Sequence, residues 1–177
     1  MNNSNIAQYF ANNHHSKSGF ITGIWGPLLW PLLHIICLYY PIYPTESDKR
    51  HYFEWITGLR FVLPCIYCQR NFIANLKSSN FGYHVFKSRF TLCHWLFDMH
   101  NTVNRMLGKS NFHLNFQQTM KMYEIFRASN CGSRNNNKSQ ELGCLNSTRH
   151  VKPQCIVHIV PHNNNSKSLQ FSRKCFI

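Results

Sequence analysis

The sequence predicts an all-α fold, a four-helix up-and-down bundle with a short fifth helix and a flexible C-terminal tail rich in Asn and Ser. Between positions 20 and 126 apolar residues recur every three or four positions. Pro and Gly fall between the periodic stretches, and the connections are short enough to set consecutive helices antiparallel. After Ala128 the periodicity stops. The chain thus divides into a flexible N-terminal segment at 1–19, a helical domain at 20–128 and a basic, cysteine-containing tail at 129–177.

Gly26 to Tyr40 reads as the first helix, with Trp30, Leu33, His34 and Cys37 at helical spacing and Pro41 and Pro44 ending it. The wider apolar stretch from Phe20 to Tyr40 has about the length of a membrane span, but Gly26, Pro27, Pro31 and His34 make a poor lipid-facing helix. A helix buried on most sides is expected, and no membrane span. Thr45, Ser47 and Asp48 supply capping groups for a second helix to about Leu63, where Pro64 stops it. A third helix starts within Cys65–Cys68 and runs to Lys77, ahead of a loop at Ser78, Ser79, Asn80 and Gly82. The fourth covers about Lys87 to Leu107, with Gly108 as its stop, and Gln117 to Phe126 makes a short fifth. In the tail, Gln154 to Val160 has strand character, but a lone strand is hardly stable.

The formal charge of +13 is spread over core and tail. It attracts anions in general, yet no basic helix and no Arg cluster interleaved with aromatics is present, so no specific nucleic-acid partner is expected. Eight cysteines accompany an N-terminus without a secretory signal and too poor in Arg for a transit peptide. That pairing favours catalytic or metal-binding cysteines over a secreted disulfide framework.

Cys65 and Cys68 stand at Cys-X-X-Cys spacing at a helix start. Such a pair can form a small, easily reduced disulfide, and when it is reduced the helix N-terminal field favours the reactive thiolate. Spacing alone leaves a zinc half-site, a redox pair and accident open. Zinc needs two further ligands; Cys93 and His94 point apart on a helix, and the tail cysteines are widely spaced. A thioredoxin arrangement lacks its preceding strand.

Gly26, Trp30 and His34 lie four apart on one helix face, and His100, Asn101 and Asn104 fall within little more than a turn of another. Alone, each stripe is ordinary core. Together they bury many polar groups in a small bundle, at a cost that a hydrogen-bonding ligand would offset. FAD has the right chemistry, a planar ring wanting apolar walls and edge donors and a pyrophosphate wanting Lys or Arg. No glycine-rich dinucleotide motif is present, so FAD would sit between helices.

The order and spacing of these elements resemble the Erv/ALR sulfhydryl oxidase domain over about residues 20 to 126. The matching residues are Gly26-X-X-X-Trp30-X-X-Leu33-His34, Tyr39-Tyr40-Pro41, Pro64-Cys65-X-X-Cys68 and Trp95-Leu96-X-X-X-His100-Asn101-X-Val103-Asn104-X-X-Leu107-Gly108-Lys109. The resemblance implies a helical, FAD-binding, usually homodimeric thiol oxidase that forms protein disulfides and reduces oxygen to hydrogen peroxide. Cys65 would be the outer cysteine met by the client thiol or a thioredoxin-like shuttle, and Cys68 the inner one beside the flavin. Gly26, Trp30, His34, Tyr40, His100, Asn101, Val103, Asn104 and Lys109 match flavin-contacting positions, with Phe61 and Tyr123 in less certain register.

Cys131, Cys144, Cys155 and Cys175 are candidates for a mobile shuttle pair, whereas Cys37 and Cys93 read as buried hydrophobes. Phe97 stands where many cellular members carry a cysteine, and Leu114 near its usual partner, so the fifth helix is expected to be less securely fixed. Pared-down domains of this kind and an Asn-rich composition suit a large-DNA-virus member. Host cytoplasm or virion would follow for a viral source, and the mitochondrial intermembrane space for a cellular one. The competing class is a basic, zinc-stabilised helical module that binds nucleic acid or protein.

Overall fold

The computed structural model describes residues 18–109 and 114–128. Five α-helices follow in order: α1 Thr22–Tyr39, α2 Glu46–Val62, α3 Ile66–Ser78, α4 Arg89–Met106 and α5 Phe116–Glu124. A 3-10 turn at Tyr83–Lys87 precedes α4. The all-α reading holds: among the described residues there is no strand, and Gly19 and Cys65 form an isolated antiparallel bridge. The stretch of strand character at Gln154 to Val160 and the four shuttle candidates lie outside the described residues.

Local sequence explains most helix starts. Thr45 accepts from the Asp48 backbone N–H while the Asp48 carboxylate accepts from Thr45 N–H, a reciprocal box that opens α2. Ser88 with Thr91 opens α4 in the same way, and Asn115 with Gln118 opens α5. The N-cap of α3 is Cys65 itself.

Two helix starts differ by two residues or more from the sequence reading. α1 begins at Thr22 rather than Gly26 and keeps Pro27 and Pro31 inside. Each proline deletes one N–H, but because the two are four residues apart both lost bonds fall on one strip and the rest of the ladder survives. α4 begins at Arg89 because the preceding residues coil into the 3-10 turn, which buries Val85 and Phe86.

α1 packs on α4 and α5, and α2 on α3 and the 3-10 turn. Leu33, Cys37, Ile56, Phe86, Leu92, Leu96 and Met99 meet in one core, each large side chain there contributing on the order of 2 kcal/mol by burial. Two arginines close the C-terminal end of α1: Arg89 donates to the Tyr40 carbonyl and Arg127 to that of Leu38.

The expectation of an α1 buried on most sides is corrected. Only Leu33, His34 and Cys37 of α1 are buried. Ile24, Leu28, Leu32, Ile35 and Tyr39 form an exposed apolar stripe, 41% to 76% accessible, because α4 and α5 cover only one side. By length and composition α1 could cross a membrane. Its inner side is nonetheless committed to the bundle through His34, which is 1% exposed.

The fifth helix, expected to be less securely fixed, makes aromatic contacts at its start. Phe116 at the start of α5 sits among Phe90, His94 and Phe97 of α4, with ring centroids 5.5, 4.9 and 5.7 Å away. These three residues share one face of α4 at steps of four and three, so Phe97 contributes an aromatic clamp in place of a covalent link.

Candidate redox and ligand site

Cys65 has an extended backbone, and its Sγ accepts a hydrogen bond from the Cys68 backbone N–H at 3.2 Å. The Cys68 thiol donates to the same sulfur, with Sγ to Sγ 2.7 Å. Both cysteines are free thiols here. A shift of about 0.65 Å would bring the sulfurs to bonding distance, about 2.05 Å. Gln69 braces the turn, its Nε2 donating to the Leu63 carbonyl at 2.8 Å.

Burial and the shared proton push the Cys68 thiol up to about 12. This corrects the sequence reading for one member of the pair: the helix field does not make Cys68 a ready thiolate, because desolvation outweighs it. Cys65 is only 8% exposed and Cys68 is half-buried. That order is opposite to the outer and inner roles the resemblance implies.

A second constellation joins α1, α4 and α5. Trp30 stacks on His100 with centroids 4.1 Å apart and planes 6° from parallel. His34 Nε2 and His100 Nδ1 share a hydrogen bond of 3.1 Å, and His34 stacks on Tyr123 at 4.9 Å. Burial, with His100 nearby, lowers His34 to about 3, and burial together with the Lys109 charge lowers His100 to about 4. Both imidazoles are therefore neutral near pH 7.

Two polar atoms at this site have no partner among the described residues: His34 Nδ1 and Asn104 Nδ2, both fully buried. If His34 Nε2 donates to His100, His34 Nδ1 is an acceptor; in the opposite tautomer it is a donor. Either form needs a partner. Leaving one such group unsatisfied costs about 1–3 kcal/mol, which is a large share of a small domain's stability. Trp30 also lines a small apolar cavity of about 10 Å³, room for a single water, with Leu33, Ile56, Leu59, Phe72 and Trp95. The two unsatisfied polar atoms, and not this cavity, are what a polar-edged ligand would meet here.

The other candidates are distributed around this ladder. Asn101 and Val103 are half-buried on α4, and Lys109 is exposed just past it, where Gly108 takes φ +67 to turn the chain. Gly26 lies one turn before Trp30, and nothing stands within 4 Å of where its Cβ would be. Tyr40 and Phe61 are not drawn into the ladder. Tyr40 is fully buried, donates its hydroxyl to the Phe86 carbonyl at 2.9 Å and packs on Tyr52. Phe61 is 68% exposed under the Arg60 guanidinium. Cys37 and Cys93 are buried, and desolvation raises both thiols, as expected of inert core cysteines.

Sequence reading missed Gly19 and Phe116. Phe116 was findable from the Phe90, His94 and Phe97 stripe; Gly19 pairs through backbone alone and leaves no side-chain signal. Among the described residues no three His, Cys, Asp or Glu side chains group as metal ligands, so the zinc alternative has no ligand set there.

A sequence model of the Erv1 / Alr family matches residues 27–127, more than half of the chain. The chain belongs to the Erv1 / Alr family. It is 40% identical over 85 residues to the protein named probable FAD-linked sulfhydryl oxidase from Acanthamoeba polyphaga mimivirus, a stretch covering 48% of this chain and 59% of that one. It is 37% identical over 87 residues to the Arabidopsis thaliana FAD-linked sulfhydryl oxidase ERV1, covering 49% and 44%. Against the mitochondrial FAD-linked sulfhydryl oxidase ERV1 of Saccharomyces cerevisiae it is 30% identical, covering 49% and 44%. The matched stretch is thus about half the length of these Erv1 / Alr relatives. The crystal structure of the yeast Erv1 core superposes with a TM-score of 0.49 at 23% identity, covering 64% of this chain and 88% of that one. The matched Erv1 / Alr stretch includes Cys65, Cys68 and every member of the ladder.

Proposed function

We propose that this Erv1 / Alr chain is an FAD-linked thiol oxidase that forms disulfides in protein clients or in a thioredoxin-like shuttle, with oxygen as the final acceptor. The observation that carries this reading is the pair of buried, unpartnered atoms, His34 Nδ1 and Asn104 Nδ2, in the same bundle as the Cys65/Cys68 pair. A flavin offers edge acceptors and donors to such atoms. Trp30, His34, His100, Asn101, Val103, Asn104 and Tyr123 would hold it, with Gly26 giving room and Lys109 facing the pyrophosphate charge.

When bound, FAD supplies a two-electron acceptor that oxygen returns to its oxidised form. The protein's own part is sulfur exchange. A client thiolate attacks Cys65 Sγ, the Cys65–Cys68 bond breaks, and Cys68 leaves and takes up a proton, which its burial favours. A second client thiol then displaces Cys65, and the client leaves as a disulfide. Overall, two thiols and oxygen become one disulfide and hydrogen peroxide. The apolar surroundings exclude water, and the neutral histidine pair orients the ring without adding charge.

A second copy of the chain would cover the α1 stripe, giving the homodimer. The stripe repeats at steps of four and three along the helix, the register of a helix-to-helix seam.

Thiol-dependent oxygen uptake tests the activity. Wild-type protein should consume oxygen with a dithiol, and Cys65→Ser or Cys68→Ser should each reduce the rate by at least about a hundredfold, the usual scale for losing an essential reacting group. Full activity in either variant would refute the exchange route.

A further inference from the structure

The two halves of the candidate site stand on different helices. Cys68 belongs to α3, whereas Trp30, His34, His100, Asn104 and Tyr123 belong to α1, α4 and α5. A ligand that meets both halves has to cross the seam between α3 and the C-terminal end of α4. α3 packs closely on α2 rather than on α4, so long side chains bridge that seam. On the α3 side, Cys68, Phe72 and Asn75 share one face at steps of four and three, with Asn75 about 10 Å along the axis from Cys68. On the α4 side, Val103 and Met106 share a face, three residues apart.

One polar group on this path is buried with a poor partner. Asn75 is 6% exposed, and its Nδ2 donates to the Met106 thioether sulfur at 3.6 Å. Thioether sulfur is a weak acceptor, whereas buried amides are matched to strong partners as a rule. Ser79, one turn further along the same side, is engaged by contrast: its Oγ accepts from Trp95 Nε1 at 3.2 Å. Met106 is the last residue of α4, is 53% exposed and carries a flexible, unbranched side chain that can swing into solvent. Its contact with Asn75 is therefore easily given up. A stronger acceptor entering the seam would displace the sulfur at little cost.

We propose that Asn75 is a further ligand-binding residue of this site, donating from Nδ2 to an acceptor atom of the flavin, and that Met106 is a stand-in that swings away on binding. The inference rests on the flavin-oxidase reading and adds a contact from α3 to it. Asn75 lies on the face of α3 that carries Cys68, so the helix that holds the redox sulfur also fixes the ligand beside it. The ladder on α1, α4 and α5 holds the ligand from the other side of the seam. Asn75 binds and positions; it takes no part in the sulfur exchange.

Flavin titration of the full-length chain, freed of cofactor, tests this with two variants and their combination. Asn75→Leu should bind flavin about tenfold more weakly, because a buried polar contact is lost. Met106→Leu should bind about fivefold more tightly, because the amide no longer has a partner to give up. The double variant should bind like Asn75→Leu alone, since Met106 acts only through Asn75. Thermal melts of the same flavin-free samples separate this from a packing role: Met106→Leu should melt lower than wild type, and Asn75→Leu should not. An affinity unchanged in Asn75→Leu overturns the proposal. So does Met106→Leu protein that binds no more tightly than wild type, or that gains equally with and without Asn75. A wild type that takes up no flavin refutes the oxidase reading and this proposal together, so the wild-type titration tells the two failures apart.

Discussion

His34 Nε2 lies 3.1 Å from His100 Nδ1, so one proton is shared between α1 and α4 at the centre of the aromatic ladder. The bond links two distant parts of the chain and leaves the far nitrogen of His34 facing inward with no partner among the described residues. Fold and ligand reading meet at this pair.

The histidine pair makes stability depend on pH. Burial lowers His34 to about 3 and His100 to about 4, whereas unfolded histidines titrate near 6.5. Below that value the unfolded chain binds more protons than the fold, so stability is full above about pH 6.5 and falls as pH drops toward 4. Each histidine contributes a slope of up to about 1.4 kcal/mol per pH unit in that window. Urea unfolding from pH 7.5 to 4.5 should show this loss, and His34→Phe should flatten the curve. A wild-type profile with no slope there would exclude a buried neutral pair.

Asn104→Leu separates ligand binding from folding by sign. It removes a buried donor without a partner, so the flavin-free protein should be unchanged or gain about 1 kcal/mol. Flavin affinity should fall about tenfold, since 1.4 kcal/mol is a factor of ten. Thermal melts of the flavin-free protein and flavin titration give the two numbers, and an unaltered affinity would remove Asn104 from the site.

The aromatic clamp fixes α5 and, through it, Tyr123. Phe116→Ala should destabilise the protein by about 2 kcal/mol, less than the 3–5 expected of a fully buried Phe because this ring is half-buried. Phe116→Leu should recover part of the loss. Bound flavin should be released more readily in the Ala variant, because the α5 end of the ladder loosens. Denaturant midpoints with and without flavin would register both effects.

On the proposal that a second copy covers it, the α1 stripe sets the assembly state. Leu32 is 53% exposed on that stripe, and Leu32→Asp should convert a dimer to a monomer in sedimentation velocity while leaving helicity intact. A wild-type chain that sediments as a monomer at micromolar concentration would exclude the second copy.

Much of this fold was readable because punctuation and capping are local. Pro41, Pro44, Pro64 and Gly108 divide the helices, and Thr45 with Asp48 announces α2 through neighbours three residues apart. The faces that carry the stacked rings were readable for a similar reason, since residues four apart on a helix share a face. What escaped depends on contacts remote in sequence. The outward face of α1 looks as apolar as its inner face, and only the positions of α4 and α5 distinguish them. Tyr40 matched a family position yet spends its hydroxyl on Phe86, a partner 46 residues away. The bridge between Gly19 and Cys65 uses backbone groups, which every sequence possesses.

Flavin content of the purified full-length chain is the most direct test of the central claim, that buried polar groups of α1 and α4 hold a cofactor beside the Cys65/Cys68 pair. The chain, produced with FAD available, should be yellow and carry about one flavin per polypeptide, and reducing the cysteine pair should alter the flavin absorption in wild type but not in Cys68→Ser. A folded helical protein that carries no flavin and takes up none on titration would contradict the assignment.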